Sequence, residues 1–276
     1  MQVLFCTIVI SLVYGGLVYL LTRALCYSRK YRHARQHSME VDELVGEPDT
    51  ALLTILVPSY KEEPRVALRT LLSAALQTYS RRRIALLIDD PPFAANPADR
   101  AALEETRKLP ETVAALLREP RSWIEACTRN PRGQRAPSAD QVTALLRRVA
   151  QWFEGLAAQF DRSNHEEQLF AERIALPYAE NCRDRSRHIE AACRHGEEFS
   201  VAPLVEAACR FLEGVFAAEL HAFERKQFAN LSHEPNKAMN LNSYIGLIGK
   251  SFAIERRGHL RFLVPAPAQA AAAISG

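Results

Sequence analysis

Hydrophobic and polar positions divide the chain into stretches of different period. Val3 to Leu21 carries no charge and is almost wholly apolar. At ~1.5 Å per residue such a run nearly spans a ~30 Å hydrocarbon core, which predicts a transmembrane helix over residues 1–22. Leu52 to Val57 is a short apolar run with β-branched members, stopped by Pro58. It reads as a strand buried on both faces, as in a parallel sheet. Pro64 follows Glu62 and Glu63, a helix-start signal, and Leu68, Leu71, Leu72, Ala75 and Leu76 then recur at helical spacing. Ile84 to Ile88 is a second buried strand, and it ends on Asp89 and Asp90. Strand, helix, strand is a βαβ unit.

Between Phe93 and Glu234 the pattern is one of helices broken by Pro and Gly. Ala101 to Leu117 is one, with Pro110 as a break or restart. Asn130 to Ser138 is a loop rich in turn formers. Ser138 and Gln141 fit a capping box ahead of Val142, Leu145, Leu146, Val149, Trp152, Phe153 and Leu156. A further long helix runs from near Pro203 through Phe211, Phe216, Leu220 and Phe223 to about Phe228. The aromatic stripe of Trp152, Phe153, Phe211, Phe216 and Phe223 reads as core contact between two helices. Leu260 to Val264 looks like another strand of the same sheet. The expected organisation is a membrane helix over 1–22, a basic juxtamembrane linker over 23–50 and a βαβ unit over 51–92. A helical insertion over 93–232, the rest of the sheet half over 233–264 and a low-complexity tail over 265–276 follow. His33 to Asp49, polar and without periodicity, is the linker proper.

Charge orients the membrane end. Arg23, Arg29, Lys30, Arg32 and Arg35 follow the apolar run, and no Lys or Arg precedes it. The positive-inside rule puts the N-terminus outside and the rest of the chain in the cytoplasm, a single-pass arrangement at the cell membrane. A cleaved signal peptide is disfavoured by the missing basic n-region and the lack of a small-x-small site. The 276 residues, 48% hydrophobic and 24% charged, suit a globular protein, and a net charge of +3 gives no footprint for nucleic acid. The six cysteines form no CxxC and read as reduced thiols. Cys182, His188, Cys193 and His195 match no zinc spacing. Arg81 to Arg83 and the arginines from Arg183 to Arg187 read as solvated faces, the second cluster with anionic lipid headgroups as an alternative contact.

Candidate chemistry gathers at the strand ends. In open α/β sheets ligands bind beyond the carboxyl ends of the strands, and Ser59-Tyr60-Lys61-Glu62 and Asp89-Asp90 both sit there. Two strands therefore aim carboxylates and an aromatic ring at one crevice. Downstream, His233-Glu-Pro-Asn-Lys237-Ala-Met-Asn-Leu-Asn242 places a lysine at a helix start, where it and the free amides can meet a diphosphate.

At these residues the chain resembles the family 2 glycosyltransferases, inverting enzymes of GT-A fold, of the cellulose synthase-like kind. Val57-Pro58-Ser59-Tyr60-Lys61-Glu62 is similar to Val-Pro-x-Tyr-Asn-Glu, Gln77-Thr78-Tyr79-Ser80 to Gln-x-Tyr-Pro, and Asp89-Asp90-Pro91-Pro92 to Asp-Asp-Gly-Ser. Lys237, Ala238, Leu241 and Asn242 match Lys-Ala-Gly-x-Leu-Asn, with Met239 in place of Gly. The resemblance implies an α/β fold: a partial, Rossmann-like GT-A nucleotide-binding sheet with a large helical insertion and one N-terminal transmembrane helix. It implies a UDP-sugar donor and a glycan or lipid acceptor at the membrane. Tyr60 and Glu62 would line the base and ribose pocket, Asp89 would contact uracil or ribose, and Lys237 would lie near the diphosphate. Mg²⁺ or Mn²⁺ would be expected on the diphosphate, yet no Asp-x-Asp ligand pair and no Gln-x-x-Arg-Trp segment stands downstream of Asn242, and no acidic residue follows Glu255. No catalytic base and no metal ligand can be named. The expectation is a truncated or frame-altered transferase with little turnover. The rival reading is a membrane-anchored helical scaffold. Absence of G-x-x-x-x-G-K-[ST] and G-x-G-x-x-G argues against other nucleotide enzymes.

Overall fold

A computed structural model describes residues 2–44, 51–128, 136–160, 164–195 and 198–266. The turn-rich loop expected over Asn130–Ser138 lies mostly outside these residues, as does all but the start of the expected tail. The chain separates into two units, residues 1–47 and 48–276.

The first unit is one helix, α1 (Gln2–Leu44). Its segment Gln2–Arg29 is long and apolar enough to cross a membrane, and none of it is buried within the protein. The hydroxyls of Thr7 and Thr22 donate to Val3 O and Val18 O, at 2.9 and 2.6 Å, so they carry no unmet hydrogen bond into an apolar surrounding. The backbone stays helical to Leu44, which corrects the aperiodic linker expected from His33. Neither Gly nor Pro occurs between Gly16 and Gly46 to stop it; residues 45–49 of that linker lie outside the described residues.

The second unit is a mixed α/β structure built around a small parallel sheet. β1 (Leu53–Ser59), β2 (Arg82–Ile88) and β3 (Glu219–Phe223) lie in the order β1-β2-β3, all parallel. Ser59 pairs with Ile88, and Leu87 with Phe223. β2 is central, and Ile84 to Ile88 are fully buried. β1 is not buried on both faces as expected. It is an edge strand, and only Val57 and Ser59 are covered. The Leu53 amide donates to Arg81 O and Ser59 O accepts from the Asp89 amide, both at 2.9 Å. Alternation then turns Thr54, Leu56 and Pro58 to the outer side. Pro58, with no N–H to offer, occupies the position where a missing donor costs the ladder nothing.

Between the first two strands runs α2 (Pro64–Ala75), with Pro64 in its first turn and Leu71, Leu72 and Ala75 buried, as the spacing requires. The insertion is a helical block: α3 (Pro97–Arg107), α4 (Leu109–Thr128), α5 (Ala139–Ala158), α6 (His165–Phe170), a π-turn at Ala171–Ala175, α7 (Leu176–Arg194) and α8 (Glu198–Phe216). α4 restarts at Leu109 after a break at Lys108, with Pro110 in its first turn, and the Ser138–Gln141 capping box forms in full. The rings of Trp152, Phe153, Tyr178, Phe211 and Phe216 make one cluster with centroids 5.1–6.2 Å apart. The block docks on α2 through Arg69, whose guanidinium pairs with Glu167 at 3.1 Å in a buried setting and also reaches Glu166.

Three further expectations fail in this unit. The helix read through to Phe228 ends at Phe216, and Leu220 and Phe223 belong to β3. A five-residue strand carries too little alternation to outvote a helical period, and only pairing along the other edge of β2 decides it. Leu260 to Val264 does not join the parallel sheet. It lies in β5 (Leu260–Pro265), antiparallel to β4 (Phe252–Arg257) across a turn with Gly258 at φ 62°. Nor is the Arg81–Arg83 triplet simply solvated, since Arg82 is 1% exposed.

Candidate functional site

The carboxyl ends of β1 and β2 and the start of α9 (Lys237–Ile245) enclose a cavity of about 250 Å³. Pro58, Ser59, Tyr60, Glu62, Asp89, Pro235, Asn236, Lys237 and Asn240 line it. Tyr60, Glu62, Asp89 and Lys237, drawn from three separate motifs, are thus brought together.

Parallel pairing places Ser59 beside Ile88, so the loops leaving β1 and β2 emerge side by side. Asp90 joins them. Both its carboxylate oxygens accept from the Lys61 amide, at 3.2 and 3.3 Å. That contact holds Lys61 at φ 50°, a left-handed conformation that Lys adopts at a cost. Burial raises the Asp90 pKa, against the opposing pull of the Lys61 amide, Lys226 and Lys61 itself. Asp90 therefore acts on the cavity indirectly, by setting the path of the Tyr60–Glu62 loop.

Asp89 is 4% exposed, and its Oδ1 carries a heavy load. Arg225 donates to it from Nε at 2.9 Å and lies 2.7 Å away through Nη2, and Lys226 Nζ sits 3.3 Å away. Lys226 also donates to the Asp89 carbonyl and lies over the Tyr60 ring, 5.6 Å from its centroid. The rest of the Arg225 fork donates to the carbonyls of Ser232 and Glu234. One guanidinium, itself 0% exposed, so ties the end of β2 to the chain that leads into α9. This is why a lysine nearly 150 positions from Asp89 reaches the same cavity. Glu224 is held in turn by Arg107, through two contacts of 2.7 Å.

At the third wall, Asn236 caps α9 by accepting from the Ala238 amide at 2.9 Å. Lys237 follows at the first helical position, exposed, where the free amides and dipole favour an anion. Asn240, one turn on, is 1% exposed and donates from Nδ2 to Leu87 O at 3.0 Å.

Arg225, Lys226 and Asn240 were not singled out by sequence. A buried aspartate at a strand end demands a cation, but the reading of a helix through Phe228 assigned Arg225 and Lys226 to its last turn. Asn240 occupies the variable position of the Lys-Ala-Gly-x-Leu-Asn pattern, so no pattern marked it.

The cavity residues do not fit the Mg²⁺ or Mn²⁺ that the resemblance implies. Asp89 Oδ1 is already shared by two cationic side chains, and among the described residues no group of three His, Cys, Asp or Glu side chains could hold a metal. Positive charge at the mouth is supplied by Lys237 and the α9 amides. No family model matches the chain, and neither does any curated protein or solved structure.

Proposed function

We propose that the cavity binds the UDP portion of a nucleotide-sugar, and that the chain is a membrane-anchored module of the glycosyltransferase family 2 type, working on a glycan or lipid acceptor at the cytoplasmic face. One observation carries this reading. Four residues taken from three motifs, spread from position 60 to 237, line a single cavity at the carboxyl ends of two adjacent parallel strands. Chance motif matches would have no reason to converge.

The chemistry of the lining supports the same reading. Tyr60 offers a half-exposed ring for a base to stack on. Asp89, fixed by Arg225 and Lys226, is rigid. Lys237 and the α9 N-terminus offer a cation and amide donors to a diphosphate. At about 250 Å³ the cavity lies near the lower end of ligand sites, which suits a nucleoside with its phosphates projecting toward the mouth.

Equilibrium titration of UDP into the full-length chain in detergent tests the proposal. Saturable binding that persists in EDTA and weakens in Lys237→Ala is the expected result. A flat titration would overturn it and favour the scaffold reading.

A further inference from the structure

Asn240 has a feature that the reading above leaves unused. Its Nδ2 donates to Leu87 O at 3.0 Å. That partner is a carbonyl, so the nitrogen must face it and chemistry fixes the orientation of the amide. Oδ1 is then buried with no hydrogen-bond partner in the protein, on a residue that lines the cavity. Buried acceptors are almost always satisfied, and the two buried cations of the site are directed elsewhere. Arg225 and Lys226 converge on Asp89.

We propose that Asn240 is a specificity-determining residue, its Oδ1 accepting a hydrogen bond from an N–H or O–H on the nucleoside half of the ligand. This rests on the UDP reading. The phosphate half is excluded by its chemistry, because ionised phosphate oxygens have no proton to donate and would be repelled by the partly negative Oδ1. UDP has three donors outside its phosphates: the uracil N3–H and the 2′ and 3′ hydroxyls. A site built around one such donor discriminates strongly against an analogue lacking it, because the buried acceptor is then left unpaired.

The test is a titration of the full-length chain with UDP, 3-methyl-UDP, 2′-deoxy-UDP and 3′-deoxy-UDP, repeated on Asn240→Ala. One analogue is expected to bind at least ~10-fold more weakly than UDP, and its identity tells whether base or ribose supplies the donor. In the variant, UDP should fall to the level of that analogue, with the analogue itself unchanged. The inference is overturned if all three analogues bind wild type within about twofold of UDP, or if the penalty persists undiminished in the variant. Asn240→Ala also removes the bond to Leu87 O. Should it fail to fold, Asn240→Ser completes the cycle, and equal binding of the analogues to wild type still refutes the inference. Absence of any UDP binding is a different outcome, the failure of the UDP reading itself.

Discussion

At the amino end of β2 the Arg82 guanidinium is buried and donates to four backbone carbonyls: Tyr79, Ala75, Gly214 and Val215, the last two at 2.7 Å. At the carboxyl end Arg225, just as buried, grips the carboxylate of Asp89 and two carbonyls ahead of α9. The first arginine has no carboxylate among these four partners. It supplies donors to carbonyls at the C-terminal ends of α2 and α8, among which Gly214 O also accepts from the Ala217 amide at 3.3 Å. Burial lowers its pKa to about 10, with Arg121 adding to that effect and Tyr178 opposing it, so it stays charged at neutral pH. The second arginine neutralises an acid at the edge of a cavity. The same side chain thus serves closure at one end of the strand and a rigid, charge-balanced wall at the other. Asymmetry of this kind is expected where ligands enter only at the carboxyl ends of a parallel sheet.

Breaking each end should separate the two roles. Arg225→Leu strands the Asp89 carboxylate in a buried setting with Lys226 as its remaining cation. It should cost about 3–5 kcal/mol in chemical denaturation and abolish UDP binding. Arg82→Leu leaves carbonyls without donors but no buried charge, so a loss of about 3 kcal/mol is expected. Any Arg82→Leu protein that remains folded should bind UDP as wild type does. A binding defect there equal to that of Arg225→Leu would erase the distinction. Tyr60→Ala acts at the ligand end alone. It should weaken UDP by about 1–3 kcal/mol, the range for base stacking, with an unchanged melting temperature.

Two smaller effects sharpen the contrast. On β3, away from the cavity, His221 bonds to Tyr244 Oη at 2.6 Å. Burial first, then Arg83, depress its pKa below 6.5, against the pull of Glu219. Since the folded pKa lies below the unfolded one, the unfolded chain takes up the proton first. Stability from this group is full above about pH 6.5 and declines as pH falls through that value toward the folded pKa. His221→Gln should flatten the decline in urea midpoints between pH 7 and 5, and UDP affinity should not follow it. Lys61→Asn should be the mildest change. Asn tolerates the left-handed backbone better than Lys, and the Lys61–Asp99 contact given up is exposed. A gain of about 0.5–1 kcal/mol is expected, seen as a slightly higher melting temperature.

The local patterns that survive into the structure are those whose signal is strong over a few residues. Pro64 starts α2, the Ser138–Gln141 box starts α5, and Ile84 to Ile88 is the buried centre of the sheet. What sequence left hidden depends on partners distant in the chain. β3 exists because β2 has a second edge to pair, and its five residues fit a helical period equally well. Arg82 looks like one of three surface arginines until α8 presents Gly214 and Val215 to it. The cavity was half legible: Tyr60, Glu62, Asp89 and Lys237 follow from motif and position, whereas Arg225, Lys226 and Asn240 emerge only when a buried acid and a buried amide are asked what satisfies them.

Photolabelling with 5-azido-UDP tests the location of the site most directly. The full-length chain, irradiated, digested and mapped by mass spectrometry, should carry label on the peptide containing Tyr60, with the signal suppressed by excess UDP. Label confined to the helical block of α4 to α8, or label that UDP does not displace, would contradict the account.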